Sequence, residues 1–283
     1  AILFEGMNDL HGGEYPAHRY CAECLLRDSD IGTEQLRQAL NSYGDSLIVA
    51  GGQRLARIHI HTDTPAAVFR ELSDVGTVSE QKVDDMVREY EVTHDRKFKI
   101  ALVTDSICDL PKDIIDRYQI HVVPMNVIME DTAYLDGVTI TSDYVYSRVD
   151  TIDPYPTTSQ PAPVVFRRLY SYLSTYYDSV ISIHVSGALS GTYGVSTREA
   201  ERFEEKKITV IDSKHNSGSQ ALIVLRAAEE IAAGKSHEEV VFSVQESIQK
   251  AKILVSVPSL KYMVKGGRVS PIAGALTSLL NFR

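Results

Sequence analysis

Short, almost continuous apolar runs alternate with longer amphipathic stretches from about residue 97 onward. The runs KIALVT, SVISIHV and KITVID are rich in β-branched residues, which is typical of parallel strands buried on both faces. The stretches PKDIIDRYQ, APVVFRRLYSYLSTYY and SGSQALIVLRAAEEIAAG lie between and after these runs and are predicted to be helices. The alternation predicts an α/β fold, in which ligands bind at the carboxyl ends of the parallel strands.

The preceding residues have a different pattern, which predicts a small α+β domain. HRYCAECLLR is predicted as a strand, GTEQLRQALNSYG as a helix ending at Gly44, and SLIVAGG with LARIHIHT as a hairpin that turns at Gly51–Gly52. TPAAVFRELSDVG is predicted as a helix with Thr64 as its N-cap. The charged stretch VREYEVTHDRKFK then marks a boundary, so we expect domains at residues 1–95 and 96–283.

Composition and charge exclude several classes of function. The 283 residues carry a formal net charge of −9 at pH 7, which disfavours nonspecific binding to nucleic acid or to an anionic membrane. No apolar stretch is long enough to cross a bilayer, and the acidic start AILFEGMND is too short for a secretory signal. Three cysteines do not form a disulfide framework, so we expect a cytoplasmic protein.

Each predicted parallel strand runs into a short polar loop. IALVT leads to Ser106, ISIHV leads to SGALSGT with Ser186 and Ser190, and ITVID leads to Ser213. Hydroxyls, backbone N–H groups and the positive end of a helix dipole favour an anion at the middle loop. That loop has neither the pattern of a nucleotide P-loop or dinucleotide-binding loop nor that of a hydrolase nucleophile. The alternative is a set of tight turns with helix N-caps, but several polar loops at one sheet edge favour a small-ligand site.

A further polar segment, YPTTSQPAP, places Thr157, Thr158 and Ser159 between prolines. Because proline restricts the backbone, an ordered turn is predicted here. Judged locally, the hydroxyls are predicted to cap the helix that begins in APVVFRRLYSYL. The second interpretation is that they bind an anion, and both interpretations can hold together.

Five motifs carry a resemblance to the DegV family: LVTDSICDLP, YPTTSQPAP, SGALSGTY, VIDSK and VKGGRVS occur here in the order and spacing of that family. The resemblance covers residues 97–283, and it implies a DegV-like parallel sheet with flanking helices. DegV proteins are similar to the fatty acid-binding subunits of bacterial fatty acid kinase. Family members continue beyond LTSLLNFR with a further subdomain, and this chain begins with Ala. We therefore expect a fragment that lacks the C-terminal subdomain, and the alternative is that the lipid pocket is incomplete here.

The resemblance to DegV proteins implies a fatty acid buried between two subdomains, and no cofactor for this domain. It assigns Arg268 of the GGR motif to docking of the kinase or to phosphoryl transfer. Gly187 stands where the family often has a second serine, so one donor to the carboxylate is lost or is supplied by the backbone. The residues implied in binding the carboxylate all carry hydroxyls: Thr157, Thr158, Ser186, Ser190 and Ser106.

Two histidines in IHIHT, His59 and His61, share one face of a predicted strand. They favour a metal, with zinc preferred, and the alternative is a pair of surface residues. Cys21 and Cys24 should face opposite sides of their strand. RYCAEC, IHIHT and VSEQKVDDM are similar to the middle domain of the fatty acid kinase catalytic subunit, which is associated with dimerisation. This resemblance implies a metal held by Cys21, His59 and His61, with Glu23 or water as a further ligand.

These observations lead to one functional hypothesis and two alternatives. The chain is expected to bind a fatty acid and present its carboxylate to a nucleotide-binding kinase domain, located upstream or on a separate subunit, and to form a homodimer. It lacks an aspartate cluster for Mg²⁺ with a nucleotide loop, so we expect no catalysis by this chain alone. One alternative is a phosphotransferase or hydrolase that uses Ser186 or Ser190 with a general base, and His184 cannot be placed from the sequence. The other is a scaffold that only dimerises.

Overall fold

The computed structural model of the chain describes residues 14–130, 132–257 and 259–267. The chain divides into two units, the first comprising residues 1–96 with 138–141 and the second comprising residues 97–137 with 142–283. None of the helices in the described ranges is both long and apolar enough to cross a bilayer. Each unit is described by itself.

The first unit is built on an antiparallel sheet with strand order β2-β3-β1-β4. Ala22, Cys24 and Leu26 alternate along β1 and pack in a core with residues of α1 and α2. The intervening residues Cys21 and Glu23 therefore face the other side of the sheet. The elements are β1 (Tyr20–Arg27), α1 (Thr33–Leu40), β2 (Gly44–Gly52), β3 (Leu55–Thr62), α2 (Pro65–Ser73), β4 (Thr77–Asp85) and α3 (Met86–His94).

The structure corrects two predicted boundaries in this unit. Helix α1 ends at Leu40, and Gly44 begins strand β2 rather than ending the helix. An added Cβ at Gly44 would lie 1.8 Å from the carbonyl oxygen of His61, so this position needs a glycine for the close approach of β2 to β3. The hairpin turns at residues 53–54, because Gly51 and Gly52 still belong to β2.

The second unit contains the predicted parallel sheet, with strand order β11-β10-β5-β6. Every residue of β5 and of β10 is buried. Ile181 and Ile183 of β10 pack against residues of α8 and α9, such as Val224 and Val240. The α/β architecture with flanking helices is thus confirmed. A second, antiparallel sheet has the order β8-β7-β9.

The elements of the second unit follow the chain in this order: β5 (Ile100–Asp105), a 3₁₀ turn (Ser106–Cys108), α4 (Lys112–Arg117), β6 (His121–Val123), β7 (Asn126–Met129), β8 (Thr132–Leu135), α5 (Ser142–Arg148), β9 (Thr157–Ser159), α6 (Pro163–Tyr176), β10 (Ser179–His184), α7 (Thr192–Ala200), β11 (Ile208–Asp212), α8 (Ser217–Ala232), α9 (His237–Lys250) and α10 (Lys261–Lys265). Several of these were not predicted, among them the short strands β6, β7 and β8.

The threonine-rich segment is a strand and not a turn that caps the next helix. Residues 157–159 form β9, which pairs antiparallel with β7. Helix α6 has Ala162 as its N-cap and Pro163 in its first turn, with no side-chain cap. The interpretation of Thr157, Thr158 and Ser159 as helix caps is therefore wrong, because these residues pair with β7 and the helix begins after Ala162.

His237, the first residue of α9, is hydrogen-bonded to residues at the amino ends of β10 and β11. Its Nδ1 lies 2.9 Å from Ser179 Oγ and its Nε2 lies 2.7 Å from Thr209 Oγ1. Burial, aided by Lys207, lowers the pKa of His237. Protonation therefore favours the unfolded state, so this stabilisation is present above the unfolded pKa of about 6.5 and is lost as the pH falls below it.

We predict that His237→Gln makes the free energy of unfolding less dependent on pH. Urea denaturation at about pH 8 and about pH 5 should give a smaller stability difference between wild type and variant at the lower pH. The same difference at both pH values would contradict this role of His237.

Candidate binding site and candidate metal centre

The polar loops predicted from the sequence lie at one edge of the parallel sheet. Ser106 follows β5, the loop beginning at Ser186 follows β10, and Ser213 follows β11. The three strands run parallel, so their carboxyl ends share that edge. The Ser213 hydroxyl already donates a hydrogen bond to the carbonyl of His215, two residues further along the chain.

The loop after β10, which we call the Ser-Gly loop (residues 186–192), is held in place by backbone hydrogen bonds. Ser186 N–H donates to the carbonyl of His215 at 2.9 Å, and the N–H groups of Leu189 and Ser190 donate to the carbonyl of Ser186 at 2.9 and 3.1 Å. Ser186 Oγ accepts from the Ala188 N–H at 3.3 Å. This last bond uses a lone pair of the Ser186 hydroxyl and leaves its proton for an acceptor.

Three other members of the Ser-Gly loop already make hydrogen bonds within the protein. The hydroxyl oxygens of Ser190 and Thr192 lie 2.9 Å apart, and Ser190 Oγ accepts from the Thr192 N–H at the start of α7. The Gly187 N–H donates to Asp212 Oδ1 at 3.1 Å. It therefore does not replace the donor that the family's second serine would offer. An added Cβ at Gly187 would also lie 3.1 Å from Asp212 Oδ2.

The segment that follows the threonine-rich strand contacts the Ser-Gly loop through Gln160. Asn126 Nδ2 donates to Ser159 Oγ at 3.2 Å and to the carbonyl of Gln160 at 3.1 Å, which fixes the end of β9 against β7. The Gln160 side chain lies against Gly191, where an added Cβ would be 1.8 Å from Gln160 Oε1. The structure thus brings Gln160, the residue directly after β9, beside the loop that carries Ser186.

Thr157 and Thr158 are both exposed on β9, where they pair with Ile128 and Val127 of β7. Successive side chains of a strand point to opposite faces. Thr157 therefore shares a face with Ser159, and Thr158 points to the other face. Only one of the two threonines can face a ligand on a given side of β9.

Ser106 holds the neighbouring backbone in place. Its Oγ donates to Asp136 Oδ2 at 2.7 Å and accepts from the Met125 N–H at 3.0 Å. Burial raises the pKa of Asp136. Because a hydroxyl has one proton, Ser106 as placed here has none to give to a bound carboxylate. Arg268, the residue expected to dock a kinase, lies outside the described residues.

In the first unit, Cys21, His59 and His61 form a cluster on the sheet face away from the core. Their nearest ligand atoms all lie within 4.8 Å of one another, and Cys21 Sγ is 3.7 Å from His59 Nδ1. Tetrahedral zinc with bond lengths of about 2.0–2.3 Å would place such atoms about 3.5 Å apart. The donor set and its spacing therefore fit zinc.

The surroundings of these ligands also bear on the fit. Burial lowers the pKa of His59 and so favours the neutral imidazole, which is the form that binds a metal. Burial, together with Asp84 and Glu23, raises the pKa of the Cys21 thiol to about 12, so a thiolate here depends on a bound cation. Cys24 packs in the core on the opposite face of β1, as its spacing from Cys21 predicts.

Glu23, the further metal ligand suggested by the resemblance, lies beside this cluster. Its Oε2 accepts from Arg57 Nη2 at 2.7 Å, and its Oε1 lies 3.7 Å from His59 Nδ1. Glu23 is thus paired with an arginine beside the cluster.

Sequence reasoning missed a buried polar cluster below the Ser-Gly loop. Asp105, Ser182, His184 and Gln220 are all 0% exposed and joined by hydrogen bonds. The signal for it was present in the sequence, because Ser182 and His184 stand two residues apart in an otherwise apolar strand and so share a face. His184, left unplaced above, belongs to this cluster.

Two family models match the chain. One is described as an uncharacterised protein of the DegV family and matches residues 99–283. The other is the FakA-like middle domain of fatty acid kinase and matches residues 17–93. The second match includes the three residues of the candidate metal cluster.

Individual relatives agree with the DegV match. A DegV domain-containing protein from Clostridium perfringens is 38% identical over 186 residues, which cover 65% of this chain and 66% of that protein. The structure of a fatty acid-binding DegV family protein from Thermus thermophilus has a TM-score of 0.59 at 36% identity and covers 65% of each chain. A stearic acid-binding protein from Eubacterium ventriosum has a TM-score of 0.54 at 29% identity, covering 64% of this chain and 63% of that one. The chain therefore spans just under two thirds of the length of these relatives.

The contacts of Ser106 generate a prediction about stability. Ser106→Ala removes the donor to the buried Asp136 carboxyl and the acceptor of the Met125 N–H. We expect the free energy of unfolding, measured by urea denaturation, to fall by about 1–3 kcal/mol. The control is Ser171→Ala on the exposed side of α6, which should change it by less than about 0.5 kcal/mol. Equal effects of the two substitutions would refute the structural role of Ser106.

Proposed function

The chain belongs to the DegV family, and from this premise we propose that it binds a fatty acid and presents the carboxylate for phosphorylation by a fatty acid kinase domain. The observation that supports the proposal is the contact between Gln160, which directly follows the threonines of β9, and Gly191 of the Ser-Gly loop at the carboxyl edge of the parallel sheet. Structures that match this part of the chain belong to fatty acid-binding proteins.

The chemistry of a fatty acid head group suits the hydroxyls at this edge. A carboxylate that leaves water must keep its hydrogen bonds. The Ser186 proton and the proton of Thr157 or Thr158 are neutral donors on segments held in place before the ligand arrives, which lowers the cost of ordering them. Neutral donors also leave the carboxylate oxygen free to attack a phosphoryl group, whereas a close salt bridge would hold it back. Ser190 and Ser106 then shape the site through their contacts within the protein.

The kinase partner is proposed from the first unit, which matches the FakA-like middle domain of fatty acid kinase. The kinase domain would bind the nucleotide and transfer its phosphoryl group to the carboxylate presented by this chain. Arg268 is proposed to contact that domain, and the first unit is proposed to form the interface of a homodimer.

For the first unit we also propose a bound metal, with zinc preferred, held by Cys21, His59 and His61. The support is the spacing of the three ligand atoms and the burial of His59. When bound, zinc would link β1 to β3 and stabilise the face of the sheet that lies away from the core. Glu23, paired with Arg57, would orient the neighbouring His59.

The alternative of a serine nucleophile has less support. A nucleophilic Ser186 or Ser190 needs a general base within hydrogen-bonding distance. His184 is the nearest histidine in sequence to this loop, but its ring nitrogens contact Asp105 and Ser182 instead. The geometry of His184 therefore favours a binding protein over a hydrolase.

We predict that the double substitution Thr157→Val with Ser186→Ala abolishes measurable binding of palmitate. Each lost hydrogen bond to the charged head group should weaken binding by about 10- to 150-fold, which corresponds to about 1.5–3 kcal/mol. Isothermal titration calorimetry would measure the affinity, and thermal unfolding would show that the fold persists. If Thr158 is the threonine that faces the ligand, Thr158→Val with Ser186→Ala shows the loss instead.

A matched control for this experiment is Thr175→Val with Ser171→Ala, the same substitutions at exposed positions of α6. The control should bind palmitate as the wild type does. Undiminished affinity in both test variants would mean that these hydroxyls do not hold the head group.

The metal proposal predicts near-stoichiometric zinc in protein purified without chelator. Cys21→Ala should lose the metal, because it removes the thiolate ligand. Cys24→Ala should retain it, because Cys24 packs in the core on the other face of β1. Elemental analysis by mass spectrometry measures both variants, and metal-free wild-type protein would disprove the site.

A further inference from the structure

A single buried carboxylate joins three elements directly below the Ser-Gly loop. Asp105, the last residue of β5, is 0% exposed. Its Oδ2 accepts from the Val185 N–H at 2.8 Å and from His184 Nδ1 at 3.0 Å. Its Oδ1 accepts from Gln220 Nε2 of α8 at 3.2 Å. The carboxyl ends of two parallel strands and the first turns of α8 are therefore tied to one side chain.

The hydrogen bonds continue from Asp105 to helix α6 in one consistent direction. Tyr170 OH donates to Ser182 Oγ, which leaves the Ser182 proton for His184 Nε2 and places the proton on His184 Nδ1 towards Asp105 Oδ2. Ser182 Oγ lies 2.7 Å from that Nε2, and Ser182 in turn accepts from Tyr170 OH at 2.8 Å. Ser182, His184 and Tyr170 are each 0% exposed. Every donor in this series of hydrogen bonds has an acceptor, which is the arrangement that makes a buried polar network rigid.

One end of this network adjoins the Ser-Gly loop, and the other end lies in helix α6. Val185, whose N–H is held by Asp105, is the residue directly before Ser186. Tyr170 belongs to α6, which begins at Pro163, three residues after Gln160. The buried network thus links the Ser-Gly loop to α6, the helix that follows the threonine-rich strand in the chain.

We propose that Asp105 is the positioning residue of the binding site, and that through Val185 and the His184–Ser182–Tyr170 series it fixes the spacing between the Ser186 hydroxyl and the hydroxyls of β9. The inference rests on the proposed function and adds to it a residue that touches no ligand. Asp105 acts only through the backbone and side chains that it holds.

The chemistry of the cluster shows why a carboxylate is needed there. Three donors converge on Asp105, from Val185, His184 and Gln220, and a carboxylate can accept from all of them. Asparagine would keep one oxygen and turn its NH₂ group towards Gln220 Nε2, so that two donors would face each other. Gln220 Oε1 has no hydrogen-bond partner in the part of the chain that the structure describes, and turning the Gln220 amide would instead leave its NH₂ group without one.

The test uses Asp105→Asn in the full chain, with palmitate labelled with carbon-13 at its carboxyl carbon as the probe. We expect the variant to bind palmitate about tenfold more weakly, equivalent to about 1.4 kcal/mol. We also expect the carboxyl resonance of the bound palmitate to shift, because the hydroxyls around the head group move apart. Asp105→Asn combined with Gln220→Glu again presents an acceptor to the amide group introduced at position 105 and should restore both the affinity and the resonance.

Tyr170→Phe is a second variant that removes only the far end of the network. It should give a smaller loss of affinity with a change of the carboxyl resonance in the same direction. The control is His237→Gln, because His237 is a buried histidine of the same unit at the opposite, amino-terminal edge of the sheet. It should lower stability while affinity and resonance stay as in the wild type.

The outcomes separate the two proposals. If wild-type protein binds palmitate and both Asp105→Asn and Tyr170→Phe leave affinity and resonance unchanged, the positioning role is overturned while the proposed function stands. An equal loss of affinity in His237→Gln would also overturn it, since general destabilisation would then explain the effect. If the wild type does not bind palmitate, the proposed function fails and the inference fails with it.

Discussion

The parallel pairing of β5, β10 and β11 is the constraint on which the second unit depends. Parallel strands bury both faces and send all their carboxyl ends to one edge. Polar loops that are distant in sequence must then meet at that edge. The segments pack closely at this edge, where Gly191 lies directly against the Gln160 side chain. The placement of the candidate binding site, made from loops and a short strand, follows from the direction of three buried strands.

Polar side chains are also buried near this edge of the sheet. β10 is buried along its whole length, yet its alternate residues differ: Ile181 and Ile183 face the helices α8 and α9, whereas Ser182 and His184 face α6. A buried serine and histidine are tolerated only when each finds a partner. The partners, Asp105 and Tyr170, come from other elements, so satisfying these polar groups also fixes where the loops above them lie.

The first unit uses the two faces of a sheet in the same way. One face of β1 supplies core residues, and the other carries Cys21 beside the histidines of β3. The register that pairs Cys21 with His61 and Glu23 with His59 brings one thiol and two imidazoles together from a separation of about forty residues in sequence, without any special loop. These three residues lie within the part of the chain that matches the FakA-like middle domain of fatty acid kinase.

The sequence predicted the strands and helices whose apolar residues recur at a regular spacing, because that spacing reflects which side chains are buried. It also predicted that His59 and His61 share one face of their strand. It did not predict the short strand β9: the hydroxyls of residues 157–159 are typical of helix caps, and only the distant strand β7 makes the segment a strand. The hydrogen-bond partner of His184 could not be predicted from the sequence either, since Asp105 lies 79 residues away along the chain. The role of Ser106 as a donor to Asp136 likewise depends on tertiary contacts that no local pattern contains.

The most direct measurement is a crystal structure of the protein with palmitate bound. The account predicts a carboxylate oxygen within about 2.5–3.2 Å of Ser186 Oγ and of the hydroxyl of Thr157 or Thr158, with the Asp105 cluster unchanged beneath the Ser-Gly loop. A palmitate whose carboxylate lies away from these hydroxyls, with Ser186 contacting only protein, would contradict it.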